Sequence, residues 1–282
     1  MARIVSLKEA IAEYVRDGDT VALEGFTHLI PFAAGHEIIR QGKRDLTLAR
    51  MTPDLIYDQM IGMGCAKKLI FSWAGNPGVG SLHRFRDAVE SGWPLTLDLD
   101  ERTHSALANA YVAGAAGLPF ALIKGHAGTD LPEHNNRIKP VVCPFTGETL
   151  SATPAIRPKT TIIHAQKADL NGNVMLWGIT GVQKEAALAA RHVVVTVEEI
   201  VDSLNAWPNA TILPSWTTSA VCEVPGGAHP SYALGYYDRD NRFYRQWNPI
   251  SRHRRSFREW MDRHVLQTRD FAQFRRRLAN SR

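Results

Sequence analysis

Residues 98–120, DLDERTHSALANAYVAGAAGLPF, set two adjacent carboxylates, Asp100 and Glu101, and a histidine, His104, where an apolar-alternating run gives way to small helix-forming residues. A carboxylate and an imidazole at a strand-to-helix turn can pass a proton or attack a carbonyl. The same residues also have a plainer reading. LTLDL (95–99) alternates as a strand, Asp100 suits an N-cap, Gly117 a C′ position and Pro119 a stop. Glu101 then falls in the first helical turn, where the helix dipole favours an acid by about 0.3–1 kcal/mol. His104, three residues on, shares its helix face. His126 and His229 lie in the glycine-rich loops GHAG and PGGAHP, and no histidine pair has metal spacing such as HExxH. His104 and His126 are therefore candidates to line a pocket. Ser105 and Thr103 lack a GxSxG elbow, which argues against a serine hydrolase of the α/β-hydrolase type.

Two glycine-rich turns follow apolar runs, Gly25-Phe26 and GNPGVG (75–80). Glycines at strand ends let backbone N–H groups approach a phosphate or thioester oxygen, but tight turns require them equally. GNPGVG is neither a GxGxxG fingerprint nor a P-loop, and it offers no Lys or Arg to grip a sugar phosphate.

The elements that must position these residues are legible from periodicity. SLKEAIAEYVR (6–16) reads as a helix with Ser6 and Glu9 as a capping box. TVALEGF, LTLAR, KKLIFSW, LTLDL and FALIKG read as strands, each of the first four followed by a helical stretch. That alternation predicts an open, mostly parallel α/β sheet with helices on both faces. VVCPFTGETLSATPAI (141–156) reads as a hairpin or excursion, after which TTIIHAQ, a helix near 183–190 and HVVVTVEEI resume the rhythm. FREWM and FAQFRRRL place apolar residues at spacings of three and four, which predicts a C-terminal amphipathic helical tail. The expected division is a body over 1–250 and a basic tail over 251–282.

Of the 282 residues 44% are hydrophobic, and no apolar run approaches the roughly 20 needed to span a bilayer, so the reading is a cytoplasmic protein without membrane attachment. Three separated cysteines suggest neither disulfides nor a zinc site. The net charge of +5 resides in the tail, where ten arginines face three acids and the remainder is net acidic. With no zinc motif or RNP sequence, nucleic acid is not an expected partner.

Seven stretches together resemble the A-type chain of the family I coenzyme A transferases, in the branch containing glutaconate CoA-transferase. They are DGDTVALEGF (17–26), GNPGVGSLHRFRDAVESG (75–92), ERTHSALANAYVAGAAGLPF (101–120), GHAGTDL (125–131), AQKADLNGNV (165–174), VTVEEIV (195–201) and VPGGAHPS (224–231). The resemblance implies a cytoplasmic hetero-oligomer, of heterotetramer type, in which a B subunit packs on this one and the acyl-CoA site lies between the chains. Coenzyme A is then a substrate, and no cofactor or metal is held permanently. It also implies ping-pong transfer of CoA between a thioester and a carboxylic acid through a glutamate of the B subunit. In this chain Glu101 is the candidate catalytic residue. Gly25, Phe26, Asn76, Gly78, Gly80, His104, Gly125, His126, Gly128 and Thr129 are the candidate substrate contacts. In a related steroid-ring-cleaving hydrolase branch a glutamate at this turn is the proposed acid/base, and a decarboxylase of glutaconyl-type CoA esters is a third outcome on the scaffold. Glu24 departs from the family pattern, which commonly has a second glycine there.

Overall fold

A computed structural model describes residues 2–126 and 128–280. Ala127 of the 125–129 loop and residues 281–282 of the tail lie outside them. In chain order the elements are β1 (Arg3–Ile4), α1 (Leu7–Tyr14), β2 (Thr20–Glu24), α2 (Phe32–Arg40), β3 (Leu46–Ala49), α3 (Leu55–Gly62), β4 (Ala66–Phe71), α4 (His83–Ser91), β5 (Asp98–Glu101) and α5 (His104–Ala115). There follow β6 (Phe120–Ile123), the single turn α6 (Leu131–His134), β7 (Lys139–Val142), β8 (Thr149–Pro154), β9 (Thr160–Asp169), β10 (Val174–Leu176), α7 (Gln183–Ala189) and β11 (His192–Val201). The chain ends with β12 (Thr211–Leu213), β13 (Ala220–Glu223), α8 (Asn241–Arg252), α9 (Arg254–Met261) and α10 (Phe271–Ala279), with a π-helical segment Asp262–Leu266 before α10.

The main sheet runs β1-β13-β11-β9-β2-β3-β4-β5, all neighbours parallel, with β10 and β12 added antiparallel beside β9. Because successive strand residues face opposite sides, one run feeds two cores. Val21, Leu23, Leu69 and Phe71 join helices α1–α4 and α8–α10 on one face, while Ala22, Ala49 and Ile70 meet α5 and α7 on the other. The first helix forms as its sequence dictates: Ser6 accepts from the Glu9 amide at 3.2 Å, and Glu9 accepts from the Ser6 amide at 3.0 Å.

Three readings of the sequence need correction. FALIKG does not extend the parallel sheet. Its strand β6 pairs antiparallel with β8, which also pairs with β7. Only one face of this small sheet is covered: Ala121 and Ile123 are buried, Phe120 and Leu122 exposed. The strand expected at 95–99 lies at 98–101, because Lys68 and Arg137 meet Asp98 and Asp100 on one strand face and draw the acidic end into the sheet. Consequently Asp100 is not an N-cap and Glu101 is not in a helical turn. The cap of α5 is Thr103, which accepts from the Ala106 amide at 3.2 Å.

The tail residues Phe257, Met261, Phe271, Phe274 and Leu278 enter the same core as α1–α4, and α8 runs unbroken through residue 250. Gly62 of α3 makes room for this, since a Cβ there would lie 2.6 Å from the Phe257 ring.

Candidate functional site

Parallel strands deliver their last residues to one edge, and four of these endings matter: Glu24-Gly25-Phe26, Arg50-Met51, Phe71-Ser72 and Glu101. Asp100 and Glu101, as consecutive strand residues, face opposite sides. Asp100 is buried and clamped by Arg102 through Nε at 3.0 Å and Nη2 at 2.8 Å, with Asn135 Nδ2 at 3.0 Å. Burial pushes its carboxyl up, and the hydrogen bonds and charge of Arg102 more than reverse this, so it stays below the usual carboxylate range. Glu101 is exposed at the strand tip opposite Phe71, and Asn135 Nδ2 donates to its backbone carbonyl at 2.7 Å. One acid therefore anchors the turn and leaves its neighbour's carboxylate free of such a clamp.

His104 opens α5, with Nδ1 3.1 Å from Ser72 Oγ and its ring 6.3 Å from Phe26 in an edge-to-face arrangement. Gly125 and His126 lie against the same helix end. His126 Nε2 lies 3.4 Å from Thr103 Oγ1, and the position a Cβ of Gly125 would take is 3.4 Å from Ser105 Oγ. Thr129 closes that turn by donating its amide and hydroxyl to the His126 carbonyl, and Gly128 takes φ +75°. Burial, then the charge of Arg102, lowers the affinity of His126 for a proton. Gly25 is required as glycine, because a Cβ would stand 2.7 Å from the Leu29 carbonyl oxygen; its own carbonyl accepts from Arg50 Nη2 at 2.8 Å. Phe26, Gly125 and His126 thus each lie against Thr103, His104 or Ser105 at one end of α5, with Glu101 just before that cap, Gly25 next to Phe26 in the chain, and Gly128 and Thr129 following His126.

The 75–80 loop engages a different partner. Asn76 is buried and donates Nδ2 to the Tyr244 carbonyl at 2.8 Å, a Cβ on Gly80 would meet Asn248 at 2.7 Å, and Pro77 accepts from Arg239. Gly78, at φ +74°, has open space around it. The contacts of Asn76 and Gly80 fasten α8 to the body.

Residues not singled out from the sequence as site residues join the edge. Ser72 contacts His104, and Gly181 of the 178–181 turn packs on Phe26, where a Cβ would be 2.7 Å from the Phe26 Cβ. The two glycines of WGITG (177–181) were the available signal. Glu24 lies buried behind Gly25, with Oε1 accepting from Tyr111 at 2.8 Å and the Met51 amide at 3.1 Å. Burial raises its carboxyl to about 7 against the opposing charge of Arg50. Further along the sheet, His164 Nε2 pairs with Glu198 at 2.6 Å while Tyr237 and the Gly226 amide also donate to that carboxylate. Its bonds are internal, which makes it a strut under the 224–231 loop.

Among the described residues no cluster of three or more His, Cys, Asp or Glu is arranged for a metal ion, and no helix is long and apolar enough to cross a membrane.

Comparison with known proteins agrees with this architecture. Residues 4–223 match the family model for Coenzyme A transferase. The chain is 64% identical over 282 residues to the A-type chain of 3-oxoadipate CoA-transferase from Pseudomonas knackmussii, covering the whole of both chains. It is 32% identical over 302 residues to the A-type chain of glutaconate CoA-transferase from Acidaminococcus fermentans, covering all of this chain and 93% of that one. The crystal structure of glutaconate coenzyme A-transferase from the latter organism superposes with a TM-score of 0.91 at 31% identity, over 99% of this chain and 94% of that one. The chain belongs to the coenzyme A transferase family, as an A-type subunit of an enzyme that moves coenzyme A between an acyl-CoA thioester and a carboxylic acid, and its likeness to other A-type subunits implies a B-type partner.

Proposed function

We propose that this chain is the A-type member of a cytoplasmic hetero-oligomeric transferase whose acid substrate is 3-oxoadipate or a close dicarboxylic analogue. The observation that carries the substrate is the 64% identity, without truncation, to the A-type chain of a 3-oxoadipate CoA-transferase. The acyl pocket lies at the strand edge around Glu101, His104, Phe26, Gly125 and His126, and the B subunit closes it.

The chemistry is nucleophilic catalysis shared between chains. From the B subunit, a glutamate carboxylate attacks the thioester carbonyl, the C–S bond breaks, and CoA thiolate leaves a mixed anhydride. The thiolate then attacks the glutamyl carbonyl, which releases the first acid and leaves a glutamyl-CoA thioester for the second acid to repeat the steps in reverse. This chain contributes shape and polarity: the Gly25 and Gly125 turns lie close to the α5 end, and Glu101 and His104 supply polar groups beside the Phe26 ring.

The test uses this chain assembled with its B-type partner. Incubation with acyl-CoA and borohydride should destroy activity by reducing the glutamyl thioester, whereas unaltered activity would overturn transfer. Against a panel of acids with one acyl-CoA donor, 3-oxoadipate should give the highest kcat/KM. A faster monocarboxylic acid would overturn the substrate assignment alone.

A further inference from the structure

The proton of Ser72 is already committed. Its hydroxyl donates to the Met51 carbonyl at 2.7 Å, and a carbonyl has no proton to give in return. A serine has one O–H, so the 3.1 Å contact with His104 Nδ1 is a hydrogen bond that Ser72 accepts. The opposite assignment would set oxygen lone pairs against each other at 2.7 Å. Met51 cannot easily turn away, because its amide donates to the buried Glu24 and its carbonyl also accepts from the Ser72 and Trp73 amides at 3.2 and 3.3 Å. The His104 ring is further held by Phe26 and by its place at the capped start of α5. Nε2, across the ring, takes no hydrogen bond from the described residues, and the side chain is exposed at the edge.

We propose that Ser72 is a positioning residue that holds neutral His104 in the Nδ1–H form, so that Nε2 meets the acyl-CoA as a hydrogen-bond acceptor for a donor on the substrate. The hydrogen bond made by one ring nitrogen decides which nitrogen carries the proton, so the arrangement fixes the role of the other. The inference rests on the acyl pocket lying at this edge. An acyl-CoA offers two donors of suitable kind, the amide N–H of the CoA arm nearest the sulfur and the enolic O–H of a 3-oxoacyl group.

The experiment takes the assembled enzyme with 13C,15N-histidine in this chain, at a pH where the ring is neutral. Solid-state carbon–nitrogen correlation identifies Nδ1 through Cγ, and the His104 signals are those absent from His104→Asn. The expected spectrum shows Nδ1 protonated and Nε2 bare. Ser72→Ala should shift the ring toward Nε2–H, and Ser72→Thr should restore the original form.

In kinetics, His104→Asn retains a donor for Ser72 but lacks the Nε2 atom, so kcat/KM should fall about tenfold, a loss of about 1.4 kcal/mol. His104→Gln, which brings an amide oxygen toward that position, should recover part of it. An equal fall with 3-oxoadipyl-CoA and glutaryl-CoA identifies the arm amide as the donor, and a fall with the 3-oxoacyl thioester alone identifies the enol. A wild-type His104 protonated on Nε2, or wild-type turnover of both thioesters by His104→Asn, overturns the proposal. An assembly that transfers no coenzyme A overturns the functional reading, and the spectrum still decides the tautomer.

Discussion

Two polar regions of this molecule use the same residue types to opposite ends. Beneath the C-terminal helices, Asp58 accepts from the Arg84 and Phe85 amides, both at 2.8 Å, and from Trp247 Nε1 at 2.9 Å, while Arg50 binds Asp54 at 2.8 Å. These groups form a buried polar belt that ties α8 and α4 to α3. At the strand edge Glu101 and His104 stand exposed, and His104 has one ring nitrogen engaged. Buried polar groups with their bonds made hold architecture, and exposed ones with bonds to give are left for a substrate or partner.

The comparison breaks most visibly at Asp58. Replacing it by alanine leaves two backbone amides and the Trp247 N–H without an acceptor, which should cost about 3–5 kcal/mol in urea unfolding. Asp58→Asn keeps one acceptor oxygen and should cost less. A loss below about 1 kcal/mol for the alanine variant would mean that the belt does not hold the C-terminal layer.

Glu24 sits between the two regions, buried like the belt but in contact with Met51 at the edge. Its folded carboxyl titrates at about 7, above the usual 4.5, so the folded protein retains a proton that the unfolded chain has already lost. The stability this supplies is complete below about 4.5 and declines as pH rises through 7, by about 3 kcal/mol in all. Glu24→Gln lacks the titration. Comparing urea midpoints at pH 5 and pH 8 should therefore show wild type losing up to that amount relative to the variant. Asp58, raised by burial to about 6, titrates in both proteins and cancels in the difference. A pH-independent difference would place a charged Glu24 in the folded state throughout.

What the sequence disclosed follows the same division. Local signals were readable: the Ser6–Glu9 box, strands bounded by glycine turns and the apolar stripe of the tail all stand where periodicity places them. Long-range pairing was not. Asp100 has the chemistry of a cap, and Lys68, Asn135 and Arg137, brought by folding to join its neighbour Arg102, make it a buried strand residue. β6 carries the apolar alternation of any strand, and its transfer to the small sheet depends on β8, some thirty residues later. At the candidate site, Glu101 and His104 were noticeable as an acid and an imidazole at a strand-to-helix turn. Local signals nevertheless read Glu101 as a helix-dipole charge, and only the family resemblance made it a catalytic candidate. Ser72 was not noticeable, because a lone serine after an apolar run becomes informative only once Met51 and His104 are beside it.

Glu101 sharpens the comparison from the other side. Glu101→Gln removes charge from an exposed strand tip whose hydrogen bond to Asn135 runs through the backbone, so stability should remain within about 0.5 kcal/mol of wild type. Activity of the assembled enzyme should fall about 10- to 100-fold in kcat/KM, equivalent to about 1.4–2.8 kcal/mol, while residual transfer persists. Complete loss with intact assembly would make Glu101 the catalytic acid or base itself, and a wild-type rate would remove it from the site.

The smallest effect isolates what makes the belt strong. Arg86 and Glu90 on α4 form an ion pair at 2.8 Å, as short as Arg50–Asp54, yet more than half of each side chain is exposed. Water screens the exposed charges, and holding two long side chains in one geometry costs entropy, so an i,i+4 surface pair contributes about 0.3–0.5 kcal/mol. Here Arg precedes Glu, the less favourable order along the helix. Glu90→Ala should therefore change unfolding free energy by under about 0.5 kcal/mol, with the change shrinking at high salt. A loss comparable to that of Asp58→Ala would show that pairing alone, without burial, stabilises this layer, and the contrast between the two regions would have to rest on the identity of the partners instead.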